Sequence, residues 1–420
     1  MGRKEKLGRS ITEAILNTTK RKRSFLRRIF CLLRALFTLY SVRLQPYRQA
    51  VFTDLRHRWK IDNIKYRASF DADDALRAMG DMGFSGSTFF TTNDERYLIK
   101  SVPRYFENSF FKRDLLQPYA DYMSTQPNSL LIRIMDFLAA DDVYKISPGV
   151  LLGFTPSHHI IMENILFGRD ESEAEAKEML ERYRTGSSAY ASRTVKDQQW
   201  KWEDYDLKPT SYFFPERDIA SGSLTSAATK SKLADEFCDK LVLQAEQAKD
   251  FMNQLRHDTE LLKEANAVDY SLFLVRIPKS KVIGFDTQTQ SQQQSESQNP
   301  FTDNTFPEPH DSPGQDPMSG TTAPDSTTHP FAPPSPPTWR TGIESADGKY
   351  VYRAVILDFF WAKHTVHARF MTMLINIWNT IDLSGDKGHM SITTSSEEYR
   401  ERFLDMCEDF IEVWVENRGD

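Results

Sequence analysis

Cysteine is scarce in this chain. Cys31, Cys238 and Cys407 are the only three in 420 residues. They are too few and too scattered for a disulfide framework or a zinc site, which suits a reducing, cytoplasmic compartment. Long apolar runs are missing as well. The best candidate, residues 25–42, is broken by Arg27, Arg28 and Arg34, well short of the roughly 20 apolar residues that cross a bilayer. The opening MGRKEK has no Ser or Thr at its sixth position, so it does not support myristoylation. Positive charge is not in excess either. Lys and Arg number 53 against 59 Asp and Glu, a net −6, which excludes a protein that coats nucleic acid.

What is present is a chain able to fold. Its length suits one large domain or two ordinary ones, and 40% hydrophobic residues with 28 Phe can bury a sizeable core. The charge is uneven, because residues 1–50 carry only Glu5 and Glu13 against many Lys and Arg. Such asymmetry points to a basic arm for a polyanionic surface. Within it, Leu26, Ile29, Phe30, Leu33, Leu36, Phe37 and Tyr40 recur at helical spacing, with Lys20–Arg23 just before. A basic amphipathic helix can enter lipid, pack on a core or serve as a presequence, and the sequence leaves these three open. Cys31 on it is either a palmitoylation site or a plain buried thiol.

Residues 287–340 are a different material, rich in Gln, Ser, Thr and Pro and without large aliphatics. Such a composition cannot repay the entropy of ordering, so a disordered insertion is expected. It carries Asn299-Pro300-Phe301, a tripeptide of the kind endocytic adaptors bind, and a PPSPP run. A strand-like YVYRAVILDFF follows at once, so 46–286 and 341–417 read as one domain interrupted by an insertion. The segment 1–45 reads as a basic amphipathic N-terminal segment.

Three places carry chemistry. In GFSGSTFFTTNDERYLIK, Gly83 to Lys100, two strands flank the turn Asn93-Asp94-Glu95. Gly83 and Gly86 before the hairpin let backbone N–H groups approach a phosphate, and Lys100 at its end can reach the same phosphates. Asp269 stands at the mouth of the apolar strand YSLFLVRI, and Asp358 directly after AVIL. Acids at strand ends can hold Mg²⁺ and orient a hydroxyl. Each is equally at home as a turn residue.

In order, the chain offers GFSGS, YLIK, QPNSLL, HHIIMENILF, YDLKPTS, VDYSLFL, VILDFF and SSEEYRERFLDM. This series, from about Pro46 to Glu412, resembles the phosphatidylinositol phosphate kinases, of the phosphatidylinositol-4-phosphate 5-kinase type. The resemblance implies an α+β, two-lobed lipid-kinase fold with an antiparallel sheet in the N-lobe and the insertion in the C-lobe. It implies ATP and Mg²⁺ as cofactors, and a peripheral site of action on the plasma membrane or another phosphoinositide-bearing membrane. By position, Gly83, Gly86 and Ser87 would cover the ATP phosphates and Lys100 would bind them. Met162, Glu163 and Asn164 would form the hinge around adenine. Asp206 and Lys208 would handle phosphate, Asp269 would position the inositol hydroxyl, and Asp358 would bind metal. Glu107 is the position from which a helix would pair Lys100. Some members dimerise through the N-terminal part of the domain, and nothing in this sequence shows it.

The chain also departs from the pattern. Pro209 stands where DLKGS has its glycine, which removes an N–H and any backbone needing positive φ. The following hydroxyl is kept as Thr210, and KLADEF at Lys232–Phe237 only loosely resembles KDLDF. The substrate loop departs most: its aligned residues include Lys363, Val366, His367 and Arg369, but His364 replaces one lysine of a pair, and Val366, at the lipid-selecting position, is neither the Glu nor the small residue that would fix the isomer. Two readings follow: an active kinase converting phosphatidylinositol 4-phosphate to the 4,5-bisphosphate, and a pseudokinase that binds lipid or partners. Lys100, Asp269 and Asp358 favour the first. The absence of an HRD and DFG set argues against a protein kinase.

Overall fold

The computed structural model describes residues 3–16, 42–72, 74–79, 87–141, 148–151, 155–174, 201–209, 237–279, 338–362 and 395–415. The basic helix over 20–40, Gly83, Gly86, Thr210, residues 287–337 of the Gln/Ser/Pro-rich stretch with Asn299-Pro300-Phe301, and the substrate-loop residues Lys363, Val366, His367 and Arg369 lie outside them; the last three residues of that stretch, 338–340, are ordered instead, with Trp339 packed on the core and Arg340 buried.

The fold is α+β. The first half runs α1 (Arg3–Leu16), β1 (Leu44–Pro46), α2 (Gln49–Arg58), α3 (Asn63–Ala68), β2 (Leu76–Ala78), β3 (Phe89–Thr92) and β4 (Tyr97–Ser101). Next, α4 (Tyr105–Phe110) passes through one π-turn (Phe111–Leu115) into α5 (Leu116–Thr125), followed by β5 (Ile134–Ala140), α6 (Pro148–Leu151) and β6 (His158–Glu163). The second half holds β7 (Glu203–Leu207), β8 (Leu241–Leu243), α7 (Ala245–Glu264), β9 (Ala267–Val268), β10 (Ser271–Pro278), β11 (Ile343–Glu344), β12 (Tyr350–Leu357), β13 (Trp361–Ala362), α8 (Ser396–Asp409) and β14 (Ile411–Val413).

Two sheets organise these elements. The N-terminal one is antiparallel, in the order β1-β5-β6-β4-β3-β2, and the C-terminal one runs β11-β12-β10-β7. The strands are where β-branched and aromatic residues cluster, as in FFTT of β3 and YVYRAVIL of β12. The segment before β5 stitches the lobes together. Leu131 bridges Ile356, the Ile132 N–H donates to the Ile356 carbonyl at 3.1 Å, and the Ile356 N–H donates to Leu130 at 2.7 Å. One apolar core therefore runs from Phe111 and Phe137 in the first lobe to Tyr270, Phe359 and Phe403 in the second.

Helix α7 shows how a buried polar group makes a motif. Phe251, Met252, Leu255 and Leu262 line its buried face, and Gln247 reaches back to the N–H of Gln244 at 2.9 Å to cap its start. On the same face Asp258 is fully buried. It accepts from Tyr122 Oη at 2.7 Å, Ser129 Oγ at 2.8 Å, the Leu130 N–H at 2.6 Å and Gln254 Nε2 at 3.0 Å. The Ser and Leu of QPNSLL are thus the donors that satisfy this carboxylate, which burial would otherwise leave costly.

The N-terminal boundary drawn from composition falls inside this unit. Helix α1 buries Leu7, Ile11, Ala14 and Ile15 in a second core cluster with Leu44, Tyr66, Phe90 and Tyr97, and β1 pairs with β5. Residues 3–16 therefore pack into the first lobe. Ile11→Ala is expected to destabilise the fold by about 2–4 kcal/mol, the range for emptying a buried Ile site. A urea midpoint unchanged by this substitution would show that α1 contributes nothing to the core.

Candidate active site

The strand registers decide where the chemistry sits. Antiparallel pairing sets Ser271, the first residue of β10, against Leu357, the last of β12. Asp269 and Asp358 therefore emerge at one end of the sheet. On the other flank Leu272 faces Leu207, so Lys208 leaves β7 at the same end. From the first lobe, Lys100 on β4 faces Ile160 of β6 and reaches over the gap to bond Asp358.

The backbone is bent to aim the acids. Asp269 has φ 64° and Asp358 φ 61°. This left-handed conformation costs most side chains roughly 1–2 kcal/mol and is best tolerated, among residues with a side chain, by Asp and Asn. Both positions are braced from behind. Tyr270, between Asp269 and β10, packs edge-on to Tyr399 and Phe403 of α8 at 4.7 and 4.9 Å, and the Tyr399 hydroxyl donates to its carbonyl. The terminal YRERF motif is thus the buttress of Asp269. Phe359 and Phe360 are buried behind Asp358, stacked at 5.1 Å.

Two lysine–carboxylate pairs fill the mouth. Lys208 Nζ lies 3.0 Å from Asp269 Oδ1, and Lys100 Nζ pairs with Asp358 Oδ1. The lysines are tucked in, with 12% of each side chain exposed, whereas Asp269 keeps 32% and Asp358 36%. The acids therefore face the open cleft. Burial pushes the Asp358 carboxyl up, but Lys100 and then Lys208 pull harder, and the net is below the ordinary aspartate value. For Lys208, burial pulls the ammonium down, while Asp269, Asp206 and Asp358 together hold it above its ordinary value. Asp206 is different. Burial raises its carboxyl and dominates over Lys208 beside it, and the Asp358 charge raises it further; the Ser271 hydroxyl lowers it.

That contrast has a consequence for pH. If Asp206 acts as an anion, activity is present above its raised pKa and is lost as pH falls through it. The acid limb of kcat/KM, which reports the free enzyme, is therefore expected above the ordinary aspartate range, set by Asp206 and not by Asp358. An acid limb at or below pH 4, measured from pH 3.5 upward, would contradict it (roughly the unperturbed value).

Several expected site residues take other partners. Glu107 pairs with Arg104 at 3.1 Å, not with Lys100. Met162 and Glu163 sit inside β6, and the Glu163 carboxylate is taken by buried Arg340 and by the Arg133 N–H at 2.9 Å. The N–H of Glu163 donates to Arg133 and that of Asn164 to Arg96. The Asn164 side chain donates to the Glu95 carbonyl at 2.7 Å and accepts from Leu166. Arg353 Nη1 clamps the next turn through the carbonyls of Ile165 at 3.0 Å and Phe167 at 2.9 Å. Ser87 is buried at the approach to β3, and Pro209 is buried directly after Lys208. Arg340, Arg353, Ser271 and Tyr399 were not read from the sequence as functional, because an Arg gives no sign in sequence of being buried.

Known proteins match this sequence. The phosphatidylinositol-4-phosphate 5-kinase family model matches residues 70–410, a span that contains every residue of the cleft. The chain belongs to the phosphatidylinositol-4-phosphate 5-kinase family. As a member it is divergent. It is 24% identical over 241 residues to a probable phosphatidylinositol phosphate kinase of Dictyostelium discoideum, covering 56% of this chain and 28% of that protein. It is 25% identical over 232 residues to phosphatidylinositol 4-phosphate 5-kinase 1 of Arabidopsis thaliana, covering 55% and 25%. A shorter match of 89 residues reaches 37% with phosphatidylinositol 4-phosphate 5-kinase 5 of the same plant, covering 21% and 11%. The chain thus spans about a quarter or less of the length of these relatives.

Proposed function

We propose that the chain transfers the γ-phosphoryl group of ATP to a ring hydroxyl of a phosphatidylinositol monophosphate, phosphatidylinositol 4-phosphate by the names of its relatives, at the surface of an anionic membrane. The observation that carries this reading is the meeting of Lys100–Asp358, across the two lobes, with Lys208–Asp269 at one sheet end.

The chemistry needs positioning and charge more than covalent help. Lys100 and Lys208 are compact cations that can neutralise phosphate oxygens. Asp269, held by Lys208 and exposed to the cleft, orients the attacking hydroxyl and accepts its proton. Among the described residues no group of three His, Cys, Asp or Glu stands together as a metal cage. Mg²⁺ does not need one, being ordinarily held by one or two carboxylates, waters and substrate phosphates. Asp358 and Asp206 are hard oxygen donors of that kind, and they would hold the ion. When bound, Mg²⁺ supplies charge that offsets the phosphate oxygens. Among the described residues no helix is long and apolar enough to cross a membrane, so a peripheral contact fits. Asn299-Pro300-Phe301 is a proposed adaptor ligand, tested by peptide pull-down.

One observation favours the second reading, a weak or inactive kinase used as a lipid-binding module. Pro209, buried beside Lys208, removes the N–H and the freedom that a glycine gives there. Incubation with Mg–ATP and vesicles carrying each monophosphate lipid separates the two, run beside Asp358→Asn. Product from wild type that vanishes in the variant supports catalysis. No product on any lipid, with no thermal shift on adding ATP, would sink it.

A further inference from the structure

Four charged groups alternate around the back of the cleft. Arg104 Nη1 stands 3.1 Å from Glu107 Oε1, and Lys100 is bonded to Asp358. Helix α4, which Arg104 precedes, packs on β13: Phe106 meets Trp361 edge-on at 4.6 Å, and the Arg104 guanidinium lies 5.9 Å from the same ring. Trp361 is three residues past Asp358, so Arg104 stands at the wall of the site. The two pairs are not insulated. Lys100 as well as Arg104 draws on the Glu107 carboxylate, and Arg104 as well as Lys100 draws on Asp358.

The Arg104 side chain keeps 38% of its surface exposed, against 15% for Glu107 beside it, so the guanidinium is open to the cleft on one side. Its planar fork matches a phosphate in a way an ammonium does not.

We propose that Arg104 is a phosphate-binding residue of this cleft. The inference rests on the kinase reading above. Two sources supply the phosphate chemistry, the γ-phosphoryl group of the nucleotide and the phosphomonoester already on the inositol ring.

The experiment measures equilibrium binding of Mg–ATP and Mg–ADP, and the KM for monophosphate lipid in vesicles, for wild type, Arg104→Gln and Arg104→Lys. If Arg104 meets the γ-phosphoryl group, Arg104→Gln loses about tenfold in ATP affinity, the scale of one charge-assisted contact, with little change for ADP. If it meets the lipid phosphate, both nucleotides bind as before and the lipid KM rises by a similar factor. Arg104→Lys recovers part of either loss, which a purely structural role would not predict. Nucleotide affinities and lipid KM all unchanged in Arg104→Gln, with wild type active, would overturn the inference and leave the kinase reading standing. A wild type that binds neither nucleotide and phosphorylates no lipid overturns both.

Discussion

Asp269→Asn is expected to lower kcat on monophosphate vesicles by about 10²–10⁴-fold, the range lost with a positioned general base, while Mg–ATP still binds. The substitution is chosen for what it keeps. Asn tolerates the left-handed backbone that Asp269 adopts at φ 64°, and its amide oxygen can still accept from Lys208, 3.0 Å away in the wild type. The buttress of Tyr270 against Tyr399 and Phe403 is untouched. What disappears is a carboxylate able to take a proton. Asp269→Ala would confound this with a strained backbone and an unpaired Lys208. Turnover by Asp269→Asn within about threefold of wild type would mean that another group, such as Asp206, handles the proton, since a base worth less than that does not carry the step.

The residues of this cleft were legible in sequence to different degrees. Asp269 before one apolar strand and Asp358 after another are visible in a string of letters, but a turn residue fits either place as well, and their order within the motif series is what assigned them. That both lie at one sheet end follows from antiparallel register, Ser271 against Leu357, which no local pattern contains. Lys100, at the end of a hairpin, was assigned in the same way, but its partner was not found. Sequence order placed Glu107 opposite it, whereas Arg104, the cap residue just before the same helix, takes Glu107 by proximity. Charges i and i+3 on a helix meet by geometry, and that local rule outweighed the family analogy. Arm and domain were divided by composition, yet α1 proved amphipathic enough to bury Ile11 in the first lobe. The motifs QPNSLL and YRERF carried the resemblance without revealing their work, which is to satisfy Asp258 and to brace Tyr270.

Glu163 marks the sharpest difference between a motif position and a physical role. Placed by resemblance at the adenine hinge, it is an acid whose side chain is 1% exposed and paired to an Arg340 side chain that is 4% exposed. Arg340 also donates to the carbonyls of Ser129 and Leu131, so one guanidinium ties β6, the lobe connection and the segment entering β11. Burial lowers the pKa of this guanidinium well below its ordinary value, a measure of how dearly the site holds a charge. Removing one partner should therefore be severe. Glu163→Ala is expected to destabilise the protein by about 3–5 kcal/mol, because it leaves a buried cation uncompensated. Arg340→Met should cost a similar amount from the other side. The double substitution Glu163→Met with Arg340→Met should recover part of the loss, since it buries no unpaired charge, and a double-mutant cycle on urea midpoints measures the coupling. Singles that cost under about 1 kcal/mol would place the pair among the weak, screened ion pairs of protein surfaces and reopen Glu163 as a ligand contact. Loss of nucleotide affinity without loss of stability would do the same.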